Sequence, residues 1–287
     1  MSDTRVTLTG TGVPHAVPGR AGAGVLVQYK DVTLQFDAGR ATVLRLIEAG
    51  VTPRDLSAVF ITHYHSDHVV DLVDVVLTRW VEQNVKKTGP LRIVVPEGHA
   101  ARFVSRMMEP YDDDLHVRQE HTGAEDLKID AISFAPKTTP TEVWRSEDGA
   151  VVVEAVLVHH EPVEGAVAYR ITTPDGSVVI SGDTRVCDEV FSMAADSDLL
   201  IHEACRTQAL TKFSKGTPFE NIFDYHSDSI VLGEFAQKYN IKHLLLTHLI
   251  PSPATEKDAQ RFEADVRAGG FTGKLTVGAD LHSVEIG

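Results

Sequence analysis

The sequence predicts an α/β fold in which two β-sheets pack face to face with helices on their outer surfaces. Three observations carry this. Short runs of β-branched and apolar residues, bounded by glycine and proline, recur along the 287 residues. Between them lie stretches with apolar groups three or four positions apart, the period of a helix. The order itself repeats, since each half of the chain opens with closely spaced strands and then alternates strand with helix.

In chain order, "RVTLTG", "GVLVQY" and "VTLQFDAG" open the first half as strands. A helix follows over 41–49 (Leu44, Ile47), then the strand "AVFITH", a helix over 69–82 (Val69, Leu72, Val73, Val76, Trp80), the strand "LRIVVP" and a helix over 98–108. "EPYDDD" at 109–114 and "RSEDG" at 145–149 read as solvated loops. The second half opens with "AVVVEAVLVHH", followed by "AVAYRI" and "SVVISGD", which "PDG" at 174–176 joins as a hairpin. "DLLIHEA", a helix over 228–239 (Ile230, Phe235, Tyr239), "HLLLTHL" and "KLTVGAD" complete it. No low-complexity stretch or Pro/Ser-rich linker interrupts the chain, so residues 1–287 are expected to form a single domain.

Hydrophobic residues make up 43% and charged residues 24%, the balance of a chain that buries a core rather than of a disordered one. The formal net charge is −14, which on average repels a polyanion and makes nucleic acid an unlikely partner, although a local basic patch overrides the mean. The N-terminus lacks the basic start and apolar run of a secretory signal. The most apolar helical stretch, 69–77, is interrupted by Asp71 and Asp74 and is too short for a bilayer, so no membrane span is expected. Cys187 and Cys205 alone cannot build a disulfide framework. They read as buried thiols in a reducing, cytoplasmic setting.

The chemistry concentrates in "HYHSDH" at 63–68, directly after an apolar strand. Alternate residues of an extended segment face the same way, so His63 and His65 can turn toward one metal ion. Asp67 and His68 follow the turn and aim at a neighbouring position, which implies a second metal. Zinc takes imidazole nitrogen and carboxylate oxygen, and a catalytic site needs further ligands while keeping a position for water. Three distant strand ends offer them: "VLVHH" (His159, His160), "VVISGDT" (Asp183) and "LLLTH" (His248). A set of unrelated buried histidines would require each desolvation to be compensated separately.

"HYHSDH" resembles the H-x-H-x-D-H motif of the metallo-β-lactamase superfamily. "LTGTGVP", "FDAG", "GDT", "IHEA", "YHSD", "LLLTH" and "VGADL" are similar to its ribonuclease Z branch, and "HHEPVEGAVAYRI" to arylsulfatase-like hydrolases within it. The resemblance runs essentially end to end. It implies a four-layer αββα metallo-β-lactamase sandwich with two divalent metal ions, zinc by default, manganese or iron also fitting the ligand set. His63, His65 and one of His159 or His160 would hold the first, Asp67, His68 and His248 the second, and Asp183 would bridge them. A hydroxide between the ions would be the nucleophile. The spacing to "AYR" favours His160. Asp67, His226 and Glu203 are the catalytic candidates, with His226 donating a proton to the leaving group and Glu203 orienting a ligand or His226. His15, His99, His116, His121, His243 and His282 fall outside any motif and read as surface or packing residues.

The expected reaction is hydrolysis of a small, aromatic, ester-like compound: an aryl sulfate, ester, lactone or activated aryl ether. The alternatives are tRNA 3′ processing and a non-catalytic partner subunit. An intact ligand set argues against the last. Ribonuclease Z of the bacterial type resembles this chain but carries a long arm between its third histidine motif and the bridging aspartate. Here 23 positions separate His160 from Asp183, too few for such an arm. A small-molecule pocket is expected from loops at 13–22, 80–90, 137–148 and 205–224, with Trp80, Trp144, Phe213, Phe219 and Phe223 as aromatic walls. Homo- and hetero-oligomers, a dimer included, stay open.

Overall fold

The computed structural model describes residues 2–83 and 87–287, and leaves out the side chains at 212, 218 and 219. Two seven-stranded sheets stack against each other. The first contains β1 (Thr4–Gly10), β2 (Gly24–Tyr29), β3 (Val32–Phe36), β4 (Ala58–Phe60), β5 (Leu91–Pro96) and β6 (Ile129–Phe134) side by side, with the last strand, β14 (Ser283–Ile286), outside β1. The second runs β7 (Thr141–Arg145), β8 (Val152–Leu157), β9 (Val167–Thr173), β10 (Gly176–Ile180), β11 (Leu199–Cys205), β12 (His243–Ile250) and β13 (Lys274–Val277). Each sheet changes character midway. Pairings are antiparallel from β14 to β3 and from β7 to β10, and parallel from β3 to β6 and from β10 to β13.

Alternation along each strand sorts its residues between two cores. Ala58 and Phe60 of β4 face the opposite sheet, whereas Val59 and Ile61 face helices. Between the sheets Phe36 stacks on Phe60 at 4.7 Å, and Trp144 meets Phe60 edge-on. Tyr169 donates from its hydroxyl to the carbonyl of Ile61 at 2.7 Å, joining the sheets just before "HYHSDH". On the outer face of the first sheet lie α1 (Thr42–Glu48), α3 (Leu72–Glu82) and α4 (His99–Arg106), seated through Leu46, Leu72, Val75 and Val104. A single turn, α2 (Ser66–Val69), precedes α3, and α5 (Asp112–Thr122) follows α4. The second sheet carries α6 (Asp188–Ala194), α8 (Ser229–Lys238) and α9 (Glu256–Ala268), seated through Phe191, Leu232, Phe262 and Val266, while α7 (Thr207–Ser214) follows β11. This is the αββα order expected from the sequence.

Some local expectations are corrected. "EPYDDD" is not a loop: Asp112, Asp113 and Asp114 form the first turn of α5, where exposed amide groups favour negative charge. The segment 137–148 contains β7, so Trp144 is part of the inter-sheet core and not of a pocket wall. The segment 205–224 holds α7 and a 3₁₀ turn. Trp80 is buried in α3, its indole donating to the carbonyl of Glu125 at 2.8 Å. Phe213 and Phe223 line a groove of about 450 Å³ with Val13, Leu210 and Ile250, while the side chain of Phe219 and positions 84–86 of the 80–90 segment lie outside the described residues. Among the described residues no helix is long and apolar enough to cross a membrane.

Candidate metal centre

The strand β4 ends at Phe60, and its continuation is fixed before the histidines begin. Thr62 donates from its amide and its hydroxyl, both at 2.8 Å, to the two oxygens of Asp37, which follows β3. Because that hydroxyl has its only proton on Asp37, it accepts from Nδ1 of His63 at 3.0 Å. Nδ1 of His68 also donates to Asp37, at 2.8 Å. His160 in turn donates from Nδ1 to the carbonyl of Tyr225 at 3.0 Å. At His63 and His160 this places the ring proton on Nδ1 and turns a bare Nε2 inward, the tautomer a metal requires. At His68 burial pushes the ring down, but Asp183 and Asp37 outweigh it and raise the ring well above its usual range, a place that favours positive charge. Asp37 was not singled out by the sequence beyond its place in "FDAG". Its backbone at φ 54 is a left-handed non-glycine position of the kind that gathers at functional sites.

Two groups of candidate ligand atoms converge on Asp183, which follows β10, and His226 with His248 forms a further cluster with it. On one side are His63, His65 and His160: Nε2 of His160 lies 3.1 Å from Nδ1 of His65, and both His63 and His160 reach to 3.8 Å from one Asp183 oxygen. On the other are Asp67, His68 and His248: Nε2 of His68 and of His248 lie 3.3 and 3.5 Å from the same oxygen, and His248 is 3.2 Å from Asp67. His159 points away, toward Glu189 at 3.2 Å. The backbone approaches closely here. A Cβ on Gly39 of "FDAG" would meet the carbonyl of Asp67 at 2.3 Å, and one on Gly182 of "SGDT", at φ 60, would meet Thr62 at 2.9 Å.

His248 reaches the centre through an irregularity. Glu203 of β11 is opposite Thr247 of β12, but Ala204 is opposite Leu249, so His248 is the extra residue of a bulge with φ 41. The bulge lifts it out of the ladder and re-aims its ring.

The electrostatics fit a cation. Burial, then the adjacent His68, push His63 well below its usual range; burial and His160 bring His65 down to about 4. Both are neutral at physiological pH, as ligands must be. Burial pushes the Asp183 carboxyl up, but His248 and His68 hold it well below its ordinary value. Burial likewise works against Asp67, which His248 and His68 keep low. Nε2 of His63, Nε2 of His68 and one oxygen of Asp183 are buried without a hydrogen-bond partner. Leaving such atoms unpaired costs about 1–3 kcal/mol each, which divalent metal ions at the two groups would offset.

Beside the centre, His226 stacks on His248 with centroids 5.6 Å apart. Its Nδ1 lies 2.9 Å from both oxygens of Glu203. That carboxylate is fully buried and also accepts from the amide of Thr184 at 2.7 Å, so it ties the Asp183 loop to His226. Burial pushes His226 down, but Glu203 more than compensates and raises it to about 9. Glu203 thereby favours the charged, proton-donating form of the ring. The remaining histidines behave otherwise: His202 is buried against Phe191, His243 bonds Thr276, His116 pairs with Glu120 and His99 meets the Tyr64 ring, while His15 lines the 450 Å³ groove.

The family model described as "Anti-Pycsar protein Apyc1" matches residues 4–215. A ribonuclease Z of Mycobacterium bovis is 33% identical over 283 residues, covering 98% of both chains. That of Mycobacterium sp. strain KMS is 34% identical over 284 residues, 98% of this chain and 95% of the relative. Among solved structures, the metallo-β-lactamase fold protein YhfI of Bacillus subtilis superimposes with a TM-score of 0.74 at 22% identity, covering 98% and 99% of the two chains. Human tRNase Z, short form, gives 0.71 at 22% identity over 99% of each. Two expectations are thereby corrected. Relatives named as a ribonuclease overturn the small aromatic ester as substrate and the expectation that nucleic acid is an unlikely partner. The physical reasons for that expectation fail as well. The Mycobacterium bovis ribonuclease Z aligns over 98% of its own length with this chain, which leaves no room in it for a long extra arm. A net charge is an average and does not describe the surface near the centre.

Proposed function

The chain belongs to the metallo-β-lactamase superfamily, to the branch that holds ribonuclease Z and the Apyc1 family, and from that premise we propose that it is an endonuclease cleaving tRNA precursors on their 3′ side. It would act as one domain over residues 1–287. The observation that carries the reading is the pair of candidate ligand groups meeting at Asp183 beside a His226 ring aligned by Glu203, in a chain one-third identical to a ribonuclease Z along its whole length.

His63, His65 and His160 would hold one divalent ion, Asp67, His68 and His248 the other, and Asp183 both, with zinc fitting the nitrogen-rich set and manganese or iron also accepted. When bound, the ions supply Lewis acidity toward the phosphate oxygens and activate water at neutral pH. Asp67 orients the attacking water. His226 gives the proton on Nε2 to the leaving ribose oxygen, since Nδ1 is committed to Glu203. Glu203 keeps that ring charged and aligned.

The test is a labelled pre-tRNA with a 3′ trailer. One metal-dependent cut next to the acceptor stem, abolished by chelation and restored by zinc or manganese, is expected. Failure to cut in the presence of either metal, while a small phosphodiester is hydrolysed, overturns the RNA reading.

A further inference from the structure

A second groove, about 540 Å³ in volume, lies on the first-sheet side along α4, and nothing in the centre described above uses it. Its wall is one face of the helix. His99, Arg102, Phe103, Arg106 and Met107 stand three and four positions apart and so share that face, with Tyr64 opposite. Tyr64 is the residue between His63 and His65. Its ring lies 6.1 Å from His65 and 5.1 Å from His99, so aromatic rings form a continuous step from the centre into the groove. Arg102 and Arg106 are exposed, no carboxylate pairs with either among the described residues, and no acidic side chain lines the groove. In a chain of net charge −14, two uncompensated guanidiniums beside three aromatic rings are a local reversal of the average.

We propose that this groove binds the single-stranded 3′ trailer of the RNA next to the scissile phosphate, bases stacking on Tyr64, His99 and Phe103 and backbone phosphates pairing with Arg102 and Arg106. The chemistry is that of single-strand recognition: flat rings accept any base, and arginine forks accept phosphate oxygens. A folded duplex lacks exposed base faces and would not use the rings. The inference rests on the RNA-cleaving reading above and extends it from the reacting centre to the path of the substrate.

The experiment compares pre-tRNAs whose trailers are one and about ten nucleotides long, cut by the wild-type protein and by an Arg102→Ala/Arg106→Ala double variant. Both positions are exposed, and bis(p-nitrophenyl) phosphate, which needs only the centre, reports that the variant's centre is intact. The wild type should show a KM about tenfold lower for the long trailer, with a salt dependence steeper by about 1.4 in log–log slope, two phosphates at about 0.7 each. The variant should lose that gain and that slope while kcat on the short trailer is unchanged. Equal trailer dependence in both proteins would place the trailer elsewhere and overturn the proposal with the RNA reading intact. No cleavage of either pre-tRNA by the wild type, with bis(p-nitrophenyl) phosphate still hydrolysed, overturns both.

Discussion

The first sheet brings its candidate ligands from one turn, residues 63–68, whereas the second brings them from separate segments at the ends of β8, β10 and β12 and adds the non-ligand His226 from the turn before α8. The first set is oriented locally, by Thr62 and by Asp37, which follows the neighbouring strand. The second set depends on sheet order, on the bulge at His248 and on the Glu203 carboxylate that joins two of its loops. One half is thus a preassembled cradle, the other a convergence of independent segments. Damage to the first should weaken metal binding in a graded way, and damage to the second should remove one function at a time.

The comparison is broken most severely at the residue both groups share. Asp183→Ala removes the oxygen within 3.8 Å of His63, His160, His68 and His248, and should abolish turnover and lower the metal content at both positions. Loss of one ion with the other retained at full occupancy would show that the groups do not share a ligand. His226→Ala comes next. It should keep both ions yet lower kcat by about 10²–10⁴, the usual contribution of a general acid, and the loss should shrink for substrates with good leaving groups. The same residue predicts a pH profile. A donor raised to about 9 is protonated below that value and loses its proton as pH rises through it, so kcat should fall above about pH 9. In Glu203→Gln the cause of the raised value is gone, and the fall should move toward the ordinary histidine range. An unmoved alkaline limb would assign that limb to another group.

Asp37→Asn sharpens the account of the cradle. The variant keeps the shape but weakens acceptance from His68 and Thr62, and metal affinity should drop by about 10–100-fold, read by competition with a chelating dye. The smallest effect is expected for His159→Ala. That ring faces Glu189 and Glu161, so metal content should be unchanged and stability altered by about 0.5 kcal/mol at most. Metal loss in this variant but not in His160→Ala would place the wrong histidine in the centre.

The same contrast explains what the sequence disclosed. Strands buried on both faces carry apolar runs that are legible directly, as in Ala58–Phe60 of β4 and Leu199, Leu200 and Ile201 at the start of β11. The strands β6, β7 and β14 went unread because each is a sheet edge, where one neighbour is missing and polar residues such as Asp130, Glu142 and Glu285 are tolerated. The helix α9 hid for a related reason: it touches the core mainly through Phe262 and Val266, and its start is announced instead by a capping box of Thr255 and Asp258. In the centre, the residue types that could hold a metal and their strand-end positions are legible in the sequence. The support from Asp37 and Thr62, the bulge at His248 and the Glu203 bridge to Thr184 are not, because each is a contact between residues far apart in the chain. Average charge and the short interval from His160 to Asp183 are poor guides to the substrate, because neither describes the surface next to the centre.

The central claim is that the two sheets together hold a dinuclear centre organised on Asp183. The most direct measurement is metal content per chain by elemental analysis of protein purified without chelator, in the wild type and in Asp183→Ala. Two divalent ions per wild-type chain, falling together in the variant along with cleavage activity, are predicted. A fully active wild type carrying one ion or none would contradict the account.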